Sequence, residues 1–210
     1  MQGSNLVIAR KKDLILISWT GSGKSVLFSL ALHAQKRGIS IVVTPYTTLS
    51  REGAEKCVLS LSLSLSLFSL SHLSSLLTTK IYTSEHGCCI HVASMFVHSE
   101  NKDRHDIEQL LKSDKVVLYT CVEMLEGPTL APLWTSDTCR RISAFYTDEA
   151  HAIHESRDWR PSYGRIYKLR DVVQRVAREN GETIHIPIIA MSATCPSVYQ
   201  QSVDLRRPEP

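Results

Sequence analysis

Short apolar runs alternate with longer amphipathic stretches along this chain, and the alternation predicts strands and helices in turn. Asp13 to Ser18 reads DLILIS, an apolar run closed by small polar residues, and predicts a buried strand. Thr20 to Ser25 (TGSGKS) follows and leads into VLFSLALHAQKR, a helical pattern for which Gly38 supplies a stop. Ile39 to Thr44 (ISIVVT) predicts the next strand, ended by Pro45. Val116 to Tyr119 predicts another, Ser143 to Thr147 a weaker one, and Ile186 to Met191 (IPIIAM) the last. Arg104 to Lys112 and Tyr163 to Glu179 carry helical patterns. Strands interleaved with helices predict an α/β domain, a mostly parallel sheet with helices on both faces.

One segment breaks the pattern. Val58 to Leu77 holds nine Leu and eight Ser in twenty residues, with no formal charge. Three readings stand side by side. A transmembrane helix has the length but would carry eight serines and no strong basic flank. A β-strand would put Leu on one face and Ser on the other over Leu59 to Leu67, at the risk of aggregation. The third reading comes from the genetic code. Leu-Ser repeats are what a CTCTCT tract encodes, Val58 needs a codon beginning GT, and Lys80 can be AAG. Residues 58 to 80 are then 23 codons of an intron read through in frame. On that reading, residues 1–57 and 81–210 form a single domain and 58–80 is a Leu/Ser-rich insertion without a designed structural role.

Composition narrows the class. The chain has 210 residues, 43% apolar and 21% charged, enough to bury the core of one ordinary domain. Its net charge of +3 excludes a histone-like nucleic-acid coat but not a local basic groove. The start, MQGSNLVIARKKD, lacks the apolar core of a secretory signal. The six cysteines, Cys57, Cys88, Cys89, Cys121, Cys139 and Cys195, form no C-x-x-C, so free buried thiols are expected. His86 to His91 (HGCCIH) offers four zinc-type side chains. Adjacent cysteines grip one ion poorly, and the segment reads better as an apolar strand. His154 is expected in a loop or in solvent, and Trp134 and Tyr146 in the core.

Three motifs carry chemistry. In TGSGKS, Gly21 and Gly23 allow the backbone to wrap phosphate oxygens. The amides that open the following helix face the same anion. Thr20, Gly21, Ser22, Gly23, Lys24 and Ser25 are therefore the candidate nucleotide-binding residues. Lys24 supplies a point charge for the β and γ phosphates, and Ser25 a hydroxyl for Mg²⁺. Ser18 stands where the usual pattern has its first Gly or Ala, beside the bulky Trp19. Asp148-Glu149-Ala150-His151 follows the strand ISAFYT, at the edge of a parallel sheet where ligands bind. Asp148 can hold Mg²⁺ through water, and Glu149 can orient or deprotonate an attacking water. Ser192-Ala193-Thr194 follows IPIIAM.

Taken in order, phosphate loop, DEAH and S-A-T resemble the first RecA-like domain of superfamily 2 helicases. Asp158-Trp159-Arg160-Pro161 with Tyr163 resembles the aromatic-Arg-Pro ending that follows DEAH in the RecQ family. Val43 to Arg51 (VTPYTTLSR) and Tyr119 to Leu125 (YTCVEML) are similar to two further segments of that family. The resemblance covers most of residues 14 to 197, the Leu/Ser tract apart. It implies a RecA-like P-loop fold and ATP and Mg²⁺ as cofactors, with Lys24, Asp148 and Glu149 as catalytic residues. It implies that His151 with Ser192, Ala193 and Thr194 couples ATP turnover to strand movement, and that Trp159, Arg160 and Tyr163 contact DNA. The activity implied is ATP-dependent 3′-to-5′ DNA unwinding in the nucleus, with single-stranded or forked DNA as the partner and no membrane partner.

The chain departs from that family in three places. Glu155-Ser156-Arg157 stands where the family carries an earlier Trp-Gly-His. Only 19 residues precede Thr20, so the upstream glutamine segment that holds adenine is not visible. The second RecA-like lobe, with its arginine, is expected to be absent. The alternatives are therefore a truncated or mis-spliced nucleotide-binding fragment without catalysis, or a different phosphate-loop ATPase.

Overall fold

The computed structural model describes residues 13–19, 24, 26–33, 35–45, 80–83, 89–97, 104–125, 127–155 and 160–194. Strands are β1 (Leu14–Ile17), β2 (Gly38–Val43), β3 (Lys80–Thr83), β4 (Cys89–Val97), β5 (Lys115–Thr120), β6 (Ile142–Thr147) and β7 (Ile188–Ser192). Helices are α1 (Val26–His33), α2 (Arg104–Leu111), α3 (Val122–Leu125), α4 (Ser136–Arg141), α5 (Ala152–Glu155) and α6 (Lys168–Glu179). Two 3₁₀ segments, Pro128–Trp134 and Tyr163–Arg165, lie among them.

The strands form one sheet in the order β1-β7-β6-β2-β5-β4-β3. Six are parallel, and β3 runs antiparallel against β4 at the edge. Parallel strands need crossovers that cover both faces, so the central strands are buried throughout rather than alternating. All six residues of β2 and all six of β6 are buried. Side chains point to opposite faces in turn and build two cores. On one face Ile39, Ile41, Val43, Leu118 and Phe145 meet Leu125, Leu133, Tyr163 and Val173. On the other, Val42, Val117, Tyr119 and Tyr146 meet Phe28, Ala31 and Leu32 of α1. The Phe28 ring stands edge-on to Tyr119 at 5.9 Å and to Tyr146 at 5.1 Å. Burying such a ring stabilises by roughly 1.5–3 kcal/mol.

Three local expectations change. The first strand is not buried on both faces, because among the described strands β7 is its only neighbour. Leu14 and Leu16 pack inward, while Ile15 and Ile17 are 41% and 47% exposed. Gly38 does not stop the helix but opens β2, and its N–H donates to the Asp114 carbonyl at 2.8 Å. A Cβ there would sit 2.7 Å from Gln35 Oε1 and 2.9 Å from Leu32 Cδ2, so a larger residue would force both side chains to shift. The strand expected to be weak, β6, is central. Its polar Ser143 is tolerated because the hydroxyl donates to Gln35 Oε1 at 2.8 Å.

Tyr146 is fully buried and donates to the Leu27 carbonyl at 3.0 Å, and Trp134 packs against the core while donating to the Leu125 carbonyl at 2.9 Å. Cys121 and Cys139 are buried free thiols. Burial pushes both thiols up, Cys139 to about 11, which keeps them unreactive. The Leu/Ser tract lies outside the described residues, and Lys80 at its end opens β3. The HGCCIH segment contributes its last three residues to β4. No described helix is long and apolar enough to cross a membrane.

Candidate nucleotide site

Because β1, β7 and β6 are adjacent and parallel, their carboxyl ends bring three distant stretches of chain together. This is the edge at which open α/β sheets bind ligands. The Ser18 N–H, just past β1, donates to the Ser192 carbonyl at 3.0 Å, and the Ala150 N–H donates to the Met191 carbonyl at 2.8 Å. The start of the phosphate loop and the DEAH turn are thus both pinned to the end of β7.

Lys24 lies at the opening of α1, and its Nζ donates to the carbonyls of Ser18 at 2.7 Å and Trp19 at 2.9 Å. The ammonium is held over the loop that leaves β1. Thr20, Gly21, Ser22, Gly23 and Ser25 lie outside the described residues.

Asp148 follows β6, with its N–H bonded to the Val43 carbonyl at 3.0 Å. Its Oδ1 accepts the Glu149 N–H at 3.0 Å. Burial raises the Asp148 pKa, as does the charge of Glu149, while that N–H, Lys24 and His151 oppose the rise. A half-buried carboxylate beside a second carboxylate is a site whose charged form a divalent cation would stabilise, so the donor set fits Mg²⁺. Glu149 has φ 49°, the left-handed region that a residue with a Cβ enters at a cost of about 1–3 kcal/mol.

His151 connects this turn to the S-A-T segment. Its Nδ1 lies 2.9 Å from Ser192 Oγ and 3.3 Å from Glu149 Oε2. Ser192 Oγ donates its single proton to the Thr194 carbonyl at 2.6 Å and accepts the Thr194 N–H at 3.2 Å. It must therefore accept from His151 as well, which places the imidazole proton on Nδ1. Ala193 lies between the two bonded residues. His154 sits on the single turn α5, half-buried rather than in a loop.

The DNA-contact expectations need correction. Tyr163 is fully buried, its ring in the core and its hydroxyl donating to the Asp148 carbonyl at 2.5 Å, so it offers no face on which a base could stack. The Arg160 guanidinium forms a two-pronged pair with Glu123 at the surface, both contacts at 2.8 Å. Trp159 lies outside the described residues. Glu123 was legible only as part of YTCVEML; nothing in the spacing pairs it with a residue 37 positions on.

Arg160 holds the Glu123 carboxyl at about 2, below its ordinary 4.5, with Ser162 adding a hydrogen bond. A lowered folded-state pKa means that the pair's stabilisation is complete above pH 4.5 and disappears as pH falls towards 2. Glu123→Gln is expected to flatten stability against pH in that window and to leave the slope above it unchanged. Denaturant melts across the range check this. The carboxylate is 43% exposed, so the effect is small.

The family model for DEAD/DEAH box helicases matches residues 4–202. No curated protein matches the chain. Among solved structures, the chain is similar to the DUF1998 helicase MrfA bound to DNA and AMPPNP, with a TM-score of 0.58 and 13% identity over 96% of this chain and 25% of that one. It is similar to the Hef helicase domain of Pyrococcus furiosus, with a TM-score of 0.52 and 14% identity over 97% of this chain and 35% of that one. It is also similar to Dbp5 of S. cerevisiae bound to Gle1 and IP6, with a TM-score of 0.51 and 16% identity over 99% of this chain and 43% of that one. The chain thus spans less than half the length of each of these proteins. Identities this low speak to the fold, which is that of a RecA-like helicase lobe. With most of its length matched by the family model, the chain belongs to the DEAD/DEAH box helicases.

Proposed function

We propose that the chain is the ATP-binding lobe of a RecQ-like DNA helicase, which binds single-stranded or forked DNA and separates strands 3′-to-5′ in the nucleus. The observation that carries the nucleotide reading is the convergence of Lys24, Asp148, Glu149, His151 and Ser192 at the ends of three adjacent strands. The narrower DNA reading rests on the D-W-R-P-S-Y stretch after DEAH, and the similarity to a helicase crystallised with DNA supports it. Lys24 and the phosphate loop bind the triphosphate, Asp148 and Ser25 hold Mg²⁺, and Glu149 takes a proton from the attacking water. When bound, Mg²⁺ neutralises phosphate charge. His151, whose Nδ1 donates to Ser192 Oγ and lies 3.3 Å from Glu149 Oε2, couples the turn to the S-A-T segment. Residues 58–80 take no part in this chemistry.

Nucleotide binding tests the reading. Lys24→Ala is expected to remove measurable ATP binding by fluorescence titration while the thermal melt stays two-state. Each lost charge-assisted contact is worth roughly 1.5–3 kcal/mol. Unchanged affinity in that variant would remove the basis of the assignment.

A further inference from the structure

We infer that Tyr163 is a positioning residue for the Asp148–Glu149 turn: its buried hydroxyl locks the peptide between them and so holds Glu149 in its left-handed conformation. The inference rests on the nucleotide-binding reading above. A peptide unit is planar, so its carbonyl and N–H turn together. In the unit joining Asp148 to Glu149, the carbonyl accepts from Tyr163 Oη at 2.5 Å and the N–H donates to Asp148 Oδ1 at 3.0 Å. Both ends of one plane are therefore fixed.

A flip of this plane would change ψ of Asp148 and φ of Glu149 in opposite senses. The same flip separates type I from type II turns. Glu149 at φ 49° is on the costly side of that choice. The Tyr163 hydroxyl opposes the flip from inside the core, where the ring is fully buried and cannot swing away. Without it, the Glu149 N–H would leave Asp148 Oδ1. The carboxylate set for Mg²⁺ would then change, and so would the approach of Glu149 Oε2 to His151, now 3.3 Å. Tyr163 touches neither nucleotide nor metal; it acts through the backbone.

Tyr163→Phe keeps the ring and removes only the hydroxyl. On the intact chain, two measurements separate positioning from packing. The first is ATP affinity with Mg²⁺ and with the metal chelated. The wild-type chain is expected to bind Mg²⁺-ATP more tightly than metal-free ATP. The variant is expected to lose about three- to ten-fold of that advantage, with metal-free affinity unchanged. The second is the ¹³Cα chemical shift of Glu149 without nucleotide, expected to move from left-handed towards ordinary values. An unchanged Mg²⁺ advantage or an unchanged Glu149 shift would overturn the inference alone. So would an equal loss of both forms of ATP with a lowered melting temperature, because that is a packing effect. A wild-type chain that binds ATP without a Mg²⁺ advantage would overturn the inference together with the metal role of Asp148. A wild-type chain that binds no ATP would overturn the nucleotide reading itself.

Discussion

Glu149→Gln, in a protein that sets this lobe against a second RecA-like lobe, is expected to keep Mg²⁺-ATP binding while hydrolysis falls by about 10²–10⁴. In the reaction, the water oxygen forms a bond to the γ-phosphorus, the bond to the bridging oxygen of ADP breaks, and a water proton is taken up. Glu149 is the proposed acceptor. Its Oε2 lies 3.3 Å from His151 Nδ1. The amide of glutamine has nearly the same shape but cannot take the proton. Affinity should survive, because Lys24 and Asp148, the proposed phosphate and metal contacts, are untouched. The measurement is steady-state phosphate release beside nucleotide titration. Full turnover in the variant would contradict the assigned role.

Residues 1–210 on their own are expected to hydrolyse ATP about 10³–10⁵ more slowly than a two-lobed enzyme, and to unwind nothing. The described residues form one sheet with one ligand-binding edge. On the proposed reading, Lys24, Asp148 and Glu149 would approach a nucleotide from that edge. An arginine facing the γ-phosphate from a second lobe supplies the remaining charge in such reactions. Strand separation needs two bodies that open and close as ATP turns over, and one lobe has nothing to move against. The pairing of Arg160 with Glu123 and the burial of Tyr163 also leave fewer groups for DNA than the motif suggests. The assay is ATP turnover and duplex unwinding by purified chain, with and without single-stranded DNA. Robust DNA-stimulated hydrolysis by this chain would show that one lobe suffices.

Much of the fold was legible because parallel strands buried on both faces leave a simple trace. ISIVVT and IPIIAM are mostly apolar runs and became β2 and β7 within two residues of their expected ends. Val116 to Tyr119 grew by one residue at each end into β5. The helical pattern from Tyr163 divided into a 3₁₀ turn and α6, because Tyr163 is drawn down into the core while the helix proper begins at Lys168. β6 looked weak because Ser143 and Thr147 dilute its apolar run, and only the partner Gln35, 108 positions away, explains how it sits in the centre.

The sequence by itself determined which groups of this protein could do chemistry: the lysine of a Gly-Lys-Ser loop, two adjacent carboxylates after a strand, a histidine and an S-A-T. Their kind and order are local properties, written in spacing. Tertiary structure decided which of them meet and which way they face. Strand order brings Ser18 and Ala150 within hydrogen-bond reach of Ser192 and Met191 at the end of β7, although they come from three separate stretches. Packing also drew Tyr163 inward, from a candidate DNA contact into a support for Asp148, and paired Arg160 with Glu123. The physical reason is that a motif specifies side chains, whereas direction is set by the packing of elements far apart in the chain. An aromatic ring beside an open core is stabilised more by burial than by waiting in water for a base.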